Sequence, residues 1–345
     1  MSRAKKTALV ICPGRGVYNA PELGYLKTHH SDKRDLLSAF DAQRTAHYQS
    51  SILELDSSDQ FSRSKFTRGD NASGLIYACS FADFLSIDRD IFDIVAVTGN
   101  SMGWYTALAC GGALSPEDGF RTVNTMGTIM HKQALGGQLV YPFVDENWQE
   151  KPGAKQALLG LVESIDDLHV SIWFGGMIVL AGPDEALAEA ESKLEKIQGR
   201  FPMQLPNHGA FHSPLMQANS AAGRKALPET LFQQPTIPMI DGRGKIWMPK
   251  ACDTSALWDY TLGSQVTETY DFTRSIQTGL REFAPDCLII LGPGNTLGGA
   301  TAQAMLMADW QGQSTKTHFL ERQADDPYML AMGHSDQRPL VVTTT

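Results

Sequence analysis

Gly99-Asn100-Ser101-Met102-Gly103 is a G-x-S-x-G pentapeptide. An apolar run, Ile94-Val95-Ala96-Val97, precedes it, and a helix-prone run, Trp104 to Cys110, follows. Strand, sharp turn and helix form the setting in which this pattern presents a serine nucleophile. The glycines permit a tight turn and close backbone approach. The helix behind Ser101 aims N–H groups and partial positive charge at the same point. The plain structural alternative is a buried strand–helix connection with a capping serine. A serine hydroxyl is a poor nucleophile near neutrality and needs an adjacent base. Histidine titrates in that range. The stretch Asn207-His208-Gly209-Ala210-Phe211-His212-Ser213-Pro214 offers two. Taken alone, His212 reads as a structural histidine capping a helix at Ser213-Pro214.

The elements that must position these groups follow from the apolar pattern. Thr7 to Cys12 reads as a buried first strand entering a glycine-rich turn, Pro13-Gly14-Arg15-Gly16. In open α/β sheets ligands bind at that edge. Helices are expected over 35–50 and 73–87. Ser115-Pro116-Glu117-Asp118 is a strong helix start, with the helix running to about His131. Beyond it come a strand (138–143), a helix (154–167), two strands (169–173 and 177–181) around Gly175-Gly176, an amphipathic helix (184–197) and a short strand (203–205). The order β-α-β-β-α-β is ferredoxin-like. Residues 134–205 are therefore expected to be a small insert in an α/β core formed by 1–133 and 206–345. A strand over 237–240, a helix over 272–283 and an apolar strand over 287–291 complete the core. The tail from about Asp325 is polar and is expected to be ordered only in part.

Bulk properties narrow the classes. The 345 residues are 42% hydrophobic with a net charge of −9, which argues against broad nucleic-acid or anionic-membrane binding. The apolar stretch behind the basic Met1–Lys6 is too short for a signal segment, and no run is long enough to span a bilayer. The five cysteines are scattered with no C-x-x-C pair, so buried free thiols are expected, not disulfides or a zinc site. The expectation is a soluble cytoplasmic protein with no nucleic-acid partner and no membrane insertion.

Four motifs now fall into an order. The chain has Pro13-Gly14-Arg15-Gly16, then Gly99-Asn100-Ser101-Met102-Gly103-Trp104-Tyr105 with Ala107-Leu108 and Gly112-Ala113-Leu114-Ser115. These are followed by Gly209-Ala210-Phe211-His212-Ser213-Pro214-Leu215-Met216 and Gly292-Pro293-Gly294. In this order, with a ferredoxin-like insert between serine and histidine, the chain resembles the malonyl-CoA:acyl-carrier-protein transacylase family. These are the acyltransferases of fatty-acid and polyketide synthesis, and the resemblance runs over roughly residues 7–310. It implies an α/β-hydrolase-like core with a mostly parallel sheet, Ser101 as nucleophile and His212 as base. It also implies an oxyanion hole from the backbone N–H groups of Met102 and Arg15, and a main-chain carbonyl, matched to Gln265, that orients the histidine. The implied partners are an acyl-CoA and an acyl carrier protein, with no metal or redox cofactor. Arg224 and Lys225 are candidates for a basic patch facing an acidic carrier.

The chain also departs from the family. Where malonyl-specific members carry an arginine in the helix after the elbow, this sequence has Met126. Guanidinium pairs a carboxylate through two parallel bonds, whereas methionine offers an apolar, deformable wall. Arg121 does not replace it: five residues back on a helix is about 140° around the axis. Trp104 stands where glutamate is frequent and is expected to add apolar bulk to the acyl pocket. Arg15 stands where glutamine is usual; it reads either as a carboxylate partner from the opposite side or as a solvent- or carrier-facing charge. The expectation is an acyltransferase for a neutral acyl group, acetyl or longer. An acyl-thioester hydrolase using the same Ser101–His212 site is the alternative. An ordinary esterase is disfavoured because its histidine comes late, after an acidic triad member.

Overall fold

The computed structural model describes residues 4–343. Met1–Arg3 of the basic N-terminal run and Thr344-Thr345 of the Thr-rich end lie outside the described residues. In chain order the strands are β1 (Lys6–Cys12), β2 (Phe92–Gly99), β3 (Gly137–Pro142), β4 (His169–Phe174), β5 (Met177–Gly182), β6 (Met203–Gln204), β7 (Met239–Ile240), β8 (Ile246–Trp247), β9 (Tyr270–Asp271), β10 (Cys287–Ile290) and β11 (Met329–Ala331). A six-stranded sheet has the order β11-β10-β1-β2-β7-β8, and a five-stranded sheet the order β6-β3-β5-β4-β9.

The run Ala8–Cys12 has no polar side to offer water, and it lies fully buried in the middle of the larger sheet. Strand β1 is parallel to both β10 and β2, and only the edge strand β8 is antiparallel. Continuous apolar strands are what a parallel sheet covered on both faces requires. The pairing of β1 with β2 ends at Cys12 and Gly99. The Pro13–Gly16 turn and the serine turn therefore leave the sheet side by side. Over one face, the helices Gly69–Ser86 and Pro116–Gln133 cross where neither carries a side chain. A Cβ on Gly69 would lie 2.7 Å from the Gly127 carbonyl oxygen, so only glycine permits this approach. Ser115 caps the second helix as expected, accepting from the Asp118 N–H.

Strands β3 to β6, with the helices Ala154–Glu163 and Asp184–Lys193, follow the β-α-β-β-α-β order. The fifth strand of that sheet, β9, comes from outside 134–205 and pairs with β4 in parallel. The smaller sheet thus shares Tyr270–Asp271 with the chain beyond the histidine motif.

Several expected elements are shorter. The helix near 35–50 is Arg34–Ala46, and the helix begun at Ala154 ends at Glu163. The amphipathic helix stops at Lys193, where Leu194 turns extended (ψ 136°). Ile197 keeps the helical spacing but bridges to Phe201 instead. Strand β7 begins only at Met239 because Pro238 has no N–H to give; its carbonyl accepts from Val97.

The tail is corrected outright. Residues 329–331 form the edge strand β11, and Arg338 is buried. Its guanidinium donates to Asp83 at 2.6 Å. Asp83 also accepts from Tyr25 (2.8 Å), from the Gly292 N–H (2.7 Å) and from His30 Nε2 (2.8 Å). Burial works against the Asp83 charge, but His30 and Arg338 outweigh it and hold the carboxyl below its ordinary range. All five cysteines are buried and free. Among the described residues no helix is long and apolar enough to cross a membrane.

Candidate active site

The serine turn is built by exclusion of side chains. A Cβ on Gly99 would collide with the Gly103 backbone, and one on Gly103 with the carbonyls of Cys12 and Pro13. Ser101 itself is left-handed, with φ 55°, a conformation costly for a non-glycine residue and held here by its surroundings. The helix Gly103–Cys110 starts immediately behind it. His212 is also left-handed, with φ 56°, and its own N–H donates to the Val266 carbonyl.

These two turns bring Ser101 Oγ to 2.7 Å from His212 Nε2. His212 Nδ1 lies 2.6 Å from the Gln265 carbonyl oxygen. A carbonyl can only accept, so Nδ1 carries the proton and Nε2 presents its lone pair to the serine hydroxyl. Burial lowers the His212 pKa to about 4, only partly opposed by the Gln265 carbonyl. The ring is therefore a neutral base at pH 7.

Gln265 acts twice. Its side-chain N–H donates to the Ser101 carbonyl at 3.1 Å, and its Oε1 accepts from the Tyr105 hydroxyl at 3.1 Å. Tyr270, from the shared strand β9, donates to the Gly99 carbonyl at 2.6 Å, and its ring centroid lies 5.3 Å from that of His212. Among the described residues, the backbone N–H groups of Met102 and Arg15 donate to no protein acceptor. They flank the serine turn as two open donors.

Two spaces meet at Ser101. The smaller, about 50 Å³, is walled by Met126, Met130, Tyr105 and Val266. The larger, about 380 Å³, runs along the smaller sheet past Val140, Ile172, Met177 and His208. Arg15 and Phe211 line both. Met126 is buried on the small side, whereas Arg121 is exposed.

Trp104 does not line the small space. It is fully buried, donates to Thr261 at 3.0 Å and stands edge-on to Tyr260. On the helix that starts at Gly103, its side chain points toward Thr254–Leu262, and the adjacent Tyr105 faces the site instead. Arg15 spans the mouth: its Nη2 donates to the Thr67 (2.6 Å) and Asn207 (2.9 Å) carbonyls. Its Nε is buried without a partner. Burial lowers its pKa to about 10, only partly offset by Asp70. Arg224 is not a free docking charge, because it pairs with Asp259 at 2.7 Å; Lys225 is exposed.

Sequence reading did not foresee the chain of bonds behind His208. His208 Nδ1 lies 2.7 Å from Gln138 Oε1, Gln138 Nε2 donates to Ser171 Oγ at 2.6 Å, and Ser171 donates to the Phe211 carbonyl at 2.7 Å. No spacing links 138, 171 and 208; only the histidine type was a signal.

No protein-family model matches the chain. A probable mitochondrial malonyl-CoA-acyl carrier protein transacylase of Drosophila melanogaster is 25% identical over 300 residues, 80% of this chain and 76% of that protein. The polyketide biosynthesis protein ThaF of Burkholderia thailandensis is 31% identical over 144 residues, 42% of this chain. The matched stretch spans 12% of ThaF and 64% of the malonyl CoA-acyl carrier protein transacylase of Salmonella typhimurium, so it falls short of two thirds of either protein. The crystal structure of the malonyl-CoA:acyl carrier protein transacylase of Xanthomonas oryzae shares the fold, with a TM-score of 0.75, 17% identity, and 99% and 100% of the two chains covered. The four motifs converge on one site, and over most of its length the chain is similar to malonyl-CoA:acyl-carrier-protein transacylases in sequence and in fold.

Proposed function

We propose that this protein is an acyl-CoA:acyl-carrier-protein S-acyltransferase of polyketide or fatty-acid synthesis, acting in the cytoplasm on a short neutral acyl group. The observation that carries it is Ser101 Oγ 2.7 Å from a neutral His212, beside a pocket closed by Met126. Ser101 Oγ attacks the thioester carbonyl and its proton passes to His212 Nε2. The oxyanion forms against the N–H groups of Met102 and Arg15, each such donor being worth about 3–4 kcal/mol. The C–S bond breaks, the CoA thiolate takes the proton from His212, and an acyl ester remains on Ser101. The carrier's pantetheine thiol then gives its proton to His212 and attacks the ester; Oγ leaves and recovers the proton. No metal or redox cofactor enters this sequence.

Met126 sets the acyl preference. A malonyl carboxylate against it would be buried and unpaired, which is strongly disfavoured. The space beside it, about 50 Å³, suits acetyl better than a longer chain. Malonyl transfer is the second reading, favoured by the unpartnered Nε of Arg15.

The test is intact mass after incubation with acetyl-, hexanoyl- and malonyl-CoA, with Ser101→Ala as control. An acetyl adduct that passes to a carrier protein is expected. A malonyl adduct alone would transfer the specificity to Arg15. Release of CoA with neither adduct nor transfer would make the protein a hydrolase and sink the proposal.

A further inference from the structure

His208 faces the larger space at Ser101, and its bonds fix its state. The Phe211 carbonyl can only accept, so Ser171 donates to it. Ser171 Oγ then accepts from the Gln138 amide, which leaves Gln138 Oε1 facing His208 Nδ1. His208 is therefore the Nδ1–H form, and Nε2 carries a lone pair that meets no donor among the described residues. Gln138 is 2% exposed and Ser171 fully buried, so the orientation is built in and not chosen by solvent. Burial, Arg15 and His212 all lower the His208 pKa, which keeps the ring neutral.

The surrounding wall is mostly apolar: Val140, Ile172, Phe174, Met177 and Val179 line the same space. An open acceptor in a largely apolar wall disfavours a purely apolar occupant and favours one that carries a donor between apolar segments. A secondary amide in a flexible aliphatic arm has that character. The pantetheine arm of a thioester supplies it, whether the arm is borne by CoA or by a carrier protein.

We propose that His208, preset by Gln138 and Ser171, is a specificity-determining residue whose Nε2 accepts a hydrogen bond from an amide N–H of the pantetheine arm. It thereby selects armed thioesters over armless acyl esters at Ser101. This rests on the reading of Ser101 as the acylated serine.

The test compares acetylation of Ser101 by acetyl-pantetheine, acetyl-CoA, an acetylated carrier protein and p-nitrophenyl acetate, which has no arm. In His208→Ala the ratio of kcat/KM for each armed donor to that for p-nitrophenyl acetate should fall about tenfold. Gln138→Leu should lower the ratio by a smaller factor, and His208→Gln should restore part of it. A purely structural loss would lower every rate and leave the ratio unchanged, which would overturn the proposal. So would a fall seen with acetyl-CoA alone, because the group recognised would then be the nucleotide. Nitrogen-15 spectra of the full protein give a second readout: the Nε2 signal should move on addition of pantetheine, and a static signal refutes the contact. If no donor acetylates Ser101 in the unaltered protein, the acyltransferase reading itself fails.

Discussion

The two sides of Ser101 make opposite demands on what enters them. One is small and walled by methionine; the other is several times larger and lined by a sheet face. Each side has a neutral histidine, and both rings are in the same tautomer. What separates them is the partner each lone pair finds. His212 Nε2 is occupied by the serine hydroxyl, while His208 Nε2 is open to the larger space. A ring's role is therefore set by the acceptor that fixes its far nitrogen and by what stands before the near one. In the proposed reading the chemistry sits where the two spaces meet, and selectivity is divided between them.

That division can be broken at its shared point first. Ser101→Ala should abolish acyl-enzyme formation, and His212→Ala should cost on the order of 10²- to 10⁴-fold in acylation rate, read by intact mass and by CoA release. On the small side, Met126→Arg should shift preference from acetyl toward malonyl by roughly a hundredfold in relative kcat/KM. A variant that still excludes malonyl would show that shape and not charge closes the pocket.

The pH dependence tests whether the bases are neutral. His212 must be unprotonated to act, so kcat/KM should be flat from neutrality downward and then fall about tenfold per pH unit below about 4. Stability follows the same sign. Between the unfolded histidine value of about 6.5 and about 4 the unfolded chain takes up protons that folded His212 does not. Stability should therefore decline as pH falls through that window, measured by denaturant melts. The smallest effect is expected at the surface. Arg224→Ala removes the exposed pair with Asp259 and should cost under about 1 kcal/mol; carrier-dependent transfer should stay within about twofold.

How far the sequence reveals this site depends on how local each relation is. Ser101, its flanking glycines and the strand before it are neighbours in the chain, so their pattern is readable. The pairing of Ser101 with His212 came through the motif order, because nothing local says that residues so far apart meet. Adjacent residues on a helix diverge by about 100°, so composition does not tell which of Trp104 and Tyr105 faces the site. The helix ends before the 197 that its pattern suggests, because Leu194 and Ile197 keep the apolar spacing while serving a loop. The order of the tail is hidden for a related reason: its polar Arg338 is spent on a carboxylate buried far earlier in the chain.

That last pairing bears on how the protein is made. Asp83 leaves the ribosome long before Arg338, which is 255 residues further on. Until Arg338 arrives, the carboxylate that holds the Gly292 turn lacks its strongest counter-charge, and burying it is unfavourable. The set of bonds around Gly292 is thus complete only after synthesis has passed Arg338. A nascent chain stalled short of that point would keep this corner of the core open and exposed to the cell's proteases and chaperones.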